Sequence, residues 1–303
     1  MKSSFKGFIA LLVTTLIWGC AFVAQTAASD VIEPFAFNAS RSLLAAIFLF
    51  VFIIIRSRLT LNATISNRRR IHLSLRGGIC CGIILFFAAN MQQLGISAYP
   101  DGVASSGRAG FLTATYVVMV AVAVLFISKK ISPMAIISAL ICMTGMYFIS
   151  LSDGIDNIYF ADIPLFLCAV CFAIYILVID HFIYADPVIM SCIQFAIAGL
   201  TSGVCSLIFE HSNINALISA ALPIAYAGIF SSGIAYTLQI IGQKYIEPSA
   251  ASIIMSLESV FAAFFGWLIL GEQLSPKELF GCSLVFLAII LSQIPAIIRN
   301  YTK

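Results

Sequence analysis

Three charged side chains lie inside otherwise apolar stretches of the chain, where each could do chemistry: Arg41, Arg108 and Glu258. If those stretches cross a membrane, a carboxylate there can take up and release a proton, bind an amine, or pair with a guanidinium. The arginines can pair with it, or offer charge-assisted hydrogen bonds to an anionic group. Snorkelling to the nearer interface is a further option, better suited to Arg108 than to Arg41. Arg41 follows Pro34 by seven residues, ~10 Å along a helix, and Glu258 follows Pro248 by ten, ~15 Å. A carboxylate that deep must be protonated, paired or hydrated. Glu258 and Arg108 are therefore the candidate coupling or gating residues.

Uncharged polar groups sort into faces, because residues i, i+3, i+4 and i+7 of a helix share one side. Trp18, Phe22 and Gln25 form one such face, and Asn38 and Arg41 another. Phe86, Asn90 and Gln93 align in a third stretch, and Ser232, Tyr236 and Gln239 repeat that pattern in a fourth. Together these faces predict one cavity, lined by Trp18, Gln25, Asn38, Arg41, Asn90, Gln93, Tyr236 and Gln239. The competing reading is that Asn, Gln and Ser bond neighbouring helices to one another.

Other chemistries find no support. His72, His181 and His211 lie in or beside loops and far apart, and no HExxH, GxSxG, P-loop or DxxD pattern occurs. Cys168 and Cys171 have a redox-like or metal-like spacing without a second pair. The nine cysteines all fall in apolar runs, where free Cys acts as a small hydrophobe. No cofactor or metal is expected.

The elements that must position these groups follow from composition. Of 303 residues 61% are hydrophobic and 10% charged, which excludes a water-soluble fold. The basic residues sit at the ends of apolar stretches rather than on one surface, so no nucleic-acid partner is expected. A helix needs about 20 apolar residues to cross the hydrocarbon core. Ten stretches qualify, at about 7–28, 34–55, 77–98, 103–127, 133–151, 160–179, 187–209, 217–241, 248–270 and 276–298. An all-α integral membrane fold of ten transmembrane helices is expected. The first stretch is too long for a secretory leader and reads as a retained helix.

Lys and Arg set the sidedness. With the N-terminus in the cytoplasm, 13 of the 16 basic residues fall in cytoplasmic segments, among them Arg56, Arg58, Arg68, Arg69, Arg70, Arg76, Lys129 and Lys130. Only Lys277 lies outside, while Asp30, Glu33, Asp101, Asp153 and Asp156 fall in outer loops. Both termini are expected in the cytoplasm, and the arginine-rich segment 56–76 is expected to face anionic lipid.

The chain also reads as two alike halves, 1–155 and 156–303. Pro34 precedes Arg41 as Pro187 precedes Gln194, and Asn90 to Gly95 resembles Thr237 to Gly242. LFISKKIS (Leu125 to Ser132) parallels LILGEQLS (Leu268 to Ser275). Five spans per half, an odd number, predict an inverted second repeat, a recurring transporter design with its site between the repeats.

The stretch Gly228 to Leu291, most specifically SLESVFAAFFGWLILGE, resembles the second half of an EamA-type member of the drug/metabolite transporter superfamily. WGCAFVAQ (Trp18 to Gln25), FNASR (Phe37 to Arg41) and AGFLTATYVVMVAVAVLFISKK (Ala109 to Lys130) resemble its first half, although SKK stands where many members carry a Gly-Glu-Arg-like turn. The resemblance implies two inverted five-helix repeats around a central cavity that opens by alternating access. The expected function is secondary transport of a small metabolite across the cytoplasmic membrane, an amino-acid-like or related polar or amphipathic solute, with export one direction open to it. Protons are a candidate coupling ion. A passive channel and an integral-membrane enzyme are the alternatives.

Overall fold

Proline begins many of the helices. The computed structural model describes residues 2–59, 68–99, 105–128, 133–150, 159–211, 213–270 and 275–301. Among the charges weighed above, Asp101, Lys129, Lys130, Asp153, Asp156, Glu272 and Lys303, and the side chains of Lys2, Arg108 and Arg299, lie outside the described residues. The described elements are helical throughout. They are α1 (Lys2–Ser29), α2 (Pro34–Leu59), α3 (Arg68–Ser97), α4 (Ser105–Ala114), α5 (Tyr116–Ser128), α6 (Pro133–Ser150), α7 (Asp162–His181) and α8 (Pro187–Phe209). Then come the short α9 (Ile214–Ser219) and α10 (Ala221–Ala225), a wide-turn π-type stretch Tyr226–Ala235, and α11 (Tyr236–Gln243). The chain continues with α12 (Pro248–Met255), α13 (Leu257–Phe265), a second π-type turn Gly266–Leu270, and α14 (Pro276–Tyr301). Pro34, Pro133, Pro187, Pro248 and Pro276 each stand first in a helix, where the missing N–H has no intrahelical partner to lose.

Eight helical runs are long and apolar enough to cross a membrane: Ser4–Ser29, Pro34–Arg58, Arg68–Ser97, Ala109–Ile127, Asp162–His181, Pro187–Phe209, Ala221–Gln243 and Pro248–Ile269. Two shorter apolar helices, Pro133–Phe148 and Leu279–Ser292, occupy the remaining stretches that the sequence marks. Large apolar side chains such as Phe126, Leu207 and Phe209 project from the outer surface, as a lipid environment requires.

Two runs are broken near their middles. Between α4 and α5, the Thr115 N–H bonds back only three residues, to the Leu112 carbonyl at 3.3 Å. Between α12 and α13, Ser259 N–H reaches the Ser256 carbonyl at 3.1 Å in the same way. These tightened turns interrupt the α-helical ladder. The broken runs pack antiparallel, α5 against α12 and α4 against α13.

The other contacts define the frame. α2 lies along α8, α6 along α14, and α3 against both α7 and α8. α1 packs on α11, on the wide-turn stretch and on α13. Its approach to α13 is made at Gly19, where an added Cβ would stand 2.4 Å from the Phe261 Cβ and 2.8 Å from its carbonyl carbon. Small residues of this kind let transmembrane backbones meet. One core joins Val117, Val120, Met146, Ile254 and Val285, and another joins Leu85, Tyr175, Ile179, Met190 and Ile240. Trp18 and Phe172 pack against both, and so mark the seam between the cores.

The α2–α8 pair is fastened at its ends. At one end Asp186 caps α8 through the N–H groups of Val188 and Ile189. The same carboxylate meets Arg56 of α2 at 3.2 Å and Arg70 of α3 at 3.3 Å, and its own N–H donates to Ser74 Oγ at 2.8 Å. Lys244 Nζ joins this cluster by donating to the Ala185 carbonyl at 2.8 Å. Burial, and then the nearby Arg70, lower the pKa of Lys244 below the usual lysine value, with Asp186 opposing them. At the other end the Glu210 carboxylate accepts from Phe35 N–H at 2.7 Å and Ala36 N–H at 2.8 Å, at the start of α2. An anion there complements the positive end of the helix.

Candidate functional site

A cavity opens at the seam. α1 supplies Trp18, Ala21, Phe22 and Gln25, α2 supplies Arg41, and α3 supplies Gln92. Thr113 and Tyr116 flank the break between α4 and α5, and Glu258 stands two residues past the break at Ser256. Phe172 of α7, Ser231 of the wide-turn stretch and Tyr236 at the head of α11 close the ring. Both halves of the chain therefore contribute to one space.

The charges face this space without neutralising each other. Arg41, 5% exposed, donates from one terminal nitrogen to Gln25 Oε1 at 3.2 Å, and its guanidinium lies 5.5 Å from the Phe37 ring centre. Its Nε is buried without a hydrogen-bond partner among the described residues. Glu258, also 5% exposed, accepts a hydrogen bond from the Tyr116 hydroxyl at 3.2 Å. Among the described residues the two form no ion pair with each other. Glu258 lies in the first turn of α13, where backbone N–H groups favour negative charge. A guanidinium with a spare donor and a carboxylate with spare lone pairs can between them hold a solute bearing both an anionic and a cationic group.

Aromatic rings frame the charged groups. Trp18 and Tyr236 lie 4.8 Å apart, Tyr236 and Tyr175 5.9 Å, and Phe172 packs 6.4 Å from Tyr175 and 6.5 Å from Tyr116. This arc leaves π-faces that can contact an apolar or cationic group. Trp18 is held by its Nε1 donating to the Ser231 carbonyl at 3.3 Å, and Thr14 Oγ1 reaches the Ala235 carbonyl at 3.1 Å. Residues one turn apart on α1 thus meet carbonyls four residues apart in the wide-turn stretch.

Of the residues marked from sequence, Trp18, Gln25, Arg41, Tyr236 and Glu258 line the cavity. Asn38, Asn90, Gln93 and Gln239 are not among its lining residues. Asn38 Nδ2 bonds the Ala89 carbonyl and Asn90 Oδ1, and Asn90 Nδ2 bonds Ser202 Oγ at 2.8 Å, joining α2, α3 and α8. Gln93 Nε2 donates to the Gln25 carbonyl at 3.2 Å, behind the Gln25 side chain that holds Arg41. Gln239 is buried with its Oε1 unpartnered among the described residues. The Arg108 side chain lies outside the described residues.

Gln92, Thr113, Tyr116, Phe172 and Ser231 line the cavity without having been marked. Gln92 stands beside Gln93 in the polar run Asn90 to Gln93, but on the face that carries Thr113 as partner, 3.3 Å away. The signal for Tyr116 was its place next to a polar Thr in an apolar run. Nothing in the sequence marked the break that Thr113 and Tyr116 flank.

The model of the EamA-like transporter family matches the chain twice, over residues 5–151 and 159–293. An uncharacterized transporter of Archaeoglobus fulgidus is 29% identical over 286 residues, covering 93% of this chain and 84% of that protein. The uncharacterized transporter YoaV of Bacillus subtilis is 23% identical over 294 residues, covering 95% of this chain and 96% of that one. A solved crystal structure with 16% identity superposes with a TM-score of 0.75 over 98% of this chain and 99% of its own, and so shares the fold. With apolar helices that cross a membrane several times, and a family match over nearly its whole length, this chain belongs to the EamA-like transporter family.

Proposed function

We propose that the protein is a secondary transporter that carries a small dipolar solute, amino-acid-like in its charges, across the cytoplasmic membrane by alternating access. The observation that carries this reading is the cavity itself. Arg41 from one half and Glu258 from the other line a single space, unpaired with each other and framed by Trp18, Tyr236 and Phe172. A buried charge left unpaired is costly, so a site that keeps two of opposite sign apart is suited to a ligand that satisfies both. A channel gains nothing from such a site, since permeation needs weak binding.

The full architecture in this reading is ten helices in two inverted five-helix repeats, 1–155 and 156–303, with both termini cytoplasmic. Two findings support it. The family model matches once in each half. The packing also maps onto itself when the halves are exchanged: α3 on α7 corresponds to α1 on α11, α2 on the wide-turn stretch corresponds to α3 on α8, and α2–α8 and α6–α14 each correspond to themselves. Labelling of introduced cysteines tests the topology: Asp30 and Glu272 positions should react from outside, and Arg69 and Lys130 positions from inside. Lys130 and Glu272 on one side would overturn the inversion.

Transport is tested in proteoliposomes loaded with one of glycine, L-alanine, L-threonine or L-phenylalanine and diluted into the same labelled compound. Saturable uptake that transiently exceeds equilibrium identifies a carrier. Linear, non-saturating flux across the panel would identify a channel instead.

A further inference from the structure

The two broken helices meet through one hydrogen bond. Tyr116 is the first residue of α5, immediately past the break at Thr115, and Glu258 is the second residue of α13, past the break at Ser256. Because the runs are antiparallel, α5 packs beside α12 and α13 beside α4. The bond from the Tyr116 hydroxyl to Glu258 Oε1, 3.2 Å, therefore runs diagonally. It ties the segment leading from the cavity toward one membrane face to the segment leading toward the other.

We propose that this bond is the latch of the occluded state, and that Tyr116 is a positioning residue for transport; the proposal rests on the alternating-access reading above. Opening toward one face requires α5 and its neighbours to swing about Thr115, and opening toward the other requires α13 to swing about Ser256. Either movement separates the Tyr116 hydroxyl from Glu258, so one contact opposes both openings. The breaks are suited to bending, since each replaces a regular i to i−4 bond by a shorter i to i−3 bond at cavity depth. The Ser256 hinge is itself steadied from α6, where Cys142 Sγ lies 2.9 Å from Ser256 Oγ.

The latch also explains how a ligand releases the hinge. Among the described residues the one side-chain hydrogen bond that Glu258 accepts comes from Tyr116, and Glu258 lines the cavity. A cationic group arriving at Glu258 supplies a stronger, charge-assisted donor than the phenol. Tyr116 then loses its hold, and the segments part only when the site is filled. An empty carrier stays shut, which prevents the cavity from conducting between turnovers.

The test reads opening without needing the natural ligand. Ala21 lines the cavity and is 2% exposed, so Ala21→Cys is a small change that reports access. The membrane-impermeant reagent MTSET is applied to each face of oriented proteoliposomes, and modification at that site is followed by mass spectrometry. Tyr116→Phe should raise the rate about tenfold from both faces, the factor expected for a buried hydrogen bond to a charged group. Glu258→Met, which removes the acceptor, should do the same even if Tyr116→Phe misfolds. The double variant should rise no further, because both remove one interaction. Ser138→Cys, buried in α6 and absent from the cavity lining, is the control against general loosening and should stay unreactive. Unchanged modification at Ala21→Cys in both folded single variants overturns the latch. So does an equal rise at Ser138→Cys. Failure of the transporter reading shows separately, as wild-type proteoliposomes that give no counterflow with any compound of the panel.

Discussion

The α2–α8 pair and the pair of broken helices are both antiparallel, and both touch the seam, yet they are fastened in opposite ways. α2 and α8 are pinned at their ends, by Asp186 with Arg56 at one and by Glu210 on the N–H groups of Phe35 and Ala36 at the other. Between those pins they interlock tightly, as at Gly199, where an added Cβ would stand 2.9 Å from the Leu43 N and Cγ. Among the described residues the broken pair is joined across its middle by a single side-chain hydrogen bond. A helix pair fixed at both ends resists tilting, while one held at the centre can splay at either end. The charges follow the same division. Arg41 stands on the fixed pair and Glu258 on the broken one, so in the proposed mechanism a solute that bridges them links a stationary wall to a moving one.

The largest effect that would test this contrast is expected at Glu258. Glu258→Gln keeps the shape and can still accept from Tyr116, but removes the charge. We expect the maximal uptake rate to fall by about 100-fold with little change in melting temperature, in line with loss of a charge-assisted bond. A wild-type rate would leave Glu258 a bystander. A large drop in melting temperature would make it a structural ion whose partner is left orphaned.

Gly19→Val should come next, because α1 has no room for a side chain against the Phe261 backbone. Overpacking of this kind costs about 1–3 kcal/mol. Since Trp18 is adjacent, melting temperature and uptake should fall together; normal uptake would show that α1 can yield without disturbing the cavity.

Asp186→Ala attacks the fixed pair alone. It removes the α8 cap, worth about 1 kcal/mol, and ion pairs to half-exposed arginines worth well under 1 kcal/mol each. Melting temperature should drop while the reactivity of Ala21→Cys to MTSET holds. A rise in that reactivity would move the fixed pair into the hinged class. The smallest effect is expected for Asn90→Ala, whose bonds to Asn38 and Ser202 join α2, α3 and α8. Polar bonds between membrane helices are worth about 0.6–2 kcal/mol, so stability should fall slightly and substrate affinity should not change. Weakened affinity would return Asn90 to the cavity.

Hydropathy made most of the helices legible, because the lipid requirement is written in every residue of a span. Charged residues in the site were legible for the same reason: Arg41 and Glu258 stand out where charge is expensive. Periodicity did less well with neutral groups. It ranked Asn90 and Gln93 together, and they do share a side of α3, but that side meets α1, α2 and α8, while Gln92 faces the cavity. A polar face says that a helix has a polar neighbour, not whether that neighbour is a helix or a ligand. Tyr116, Thr113 and Ser231 escaped because a regular 3.6-residue repeat cannot anticipate a break at Thr115 or wide turns over Tyr226–Ala235.

Those wide turns have a consequence for how the chain tolerates change in length. The run through Tyr226–Ala235 bonds each N–H one residue further back than an α-helix does, whereas α3 runs unbroken over Arg68–Ser97. Winding of that kind stores surplus chain: it is the form in which a helix absorbs an inserted residue while keeping both ends in register. A single deletion there can be taken up by rewinding to α, while the same deletion in α3 would rotate everything beyond it by about 100°. The two runs thus differ in editability, and loops are not the only place where this protein can gain or lose a residue.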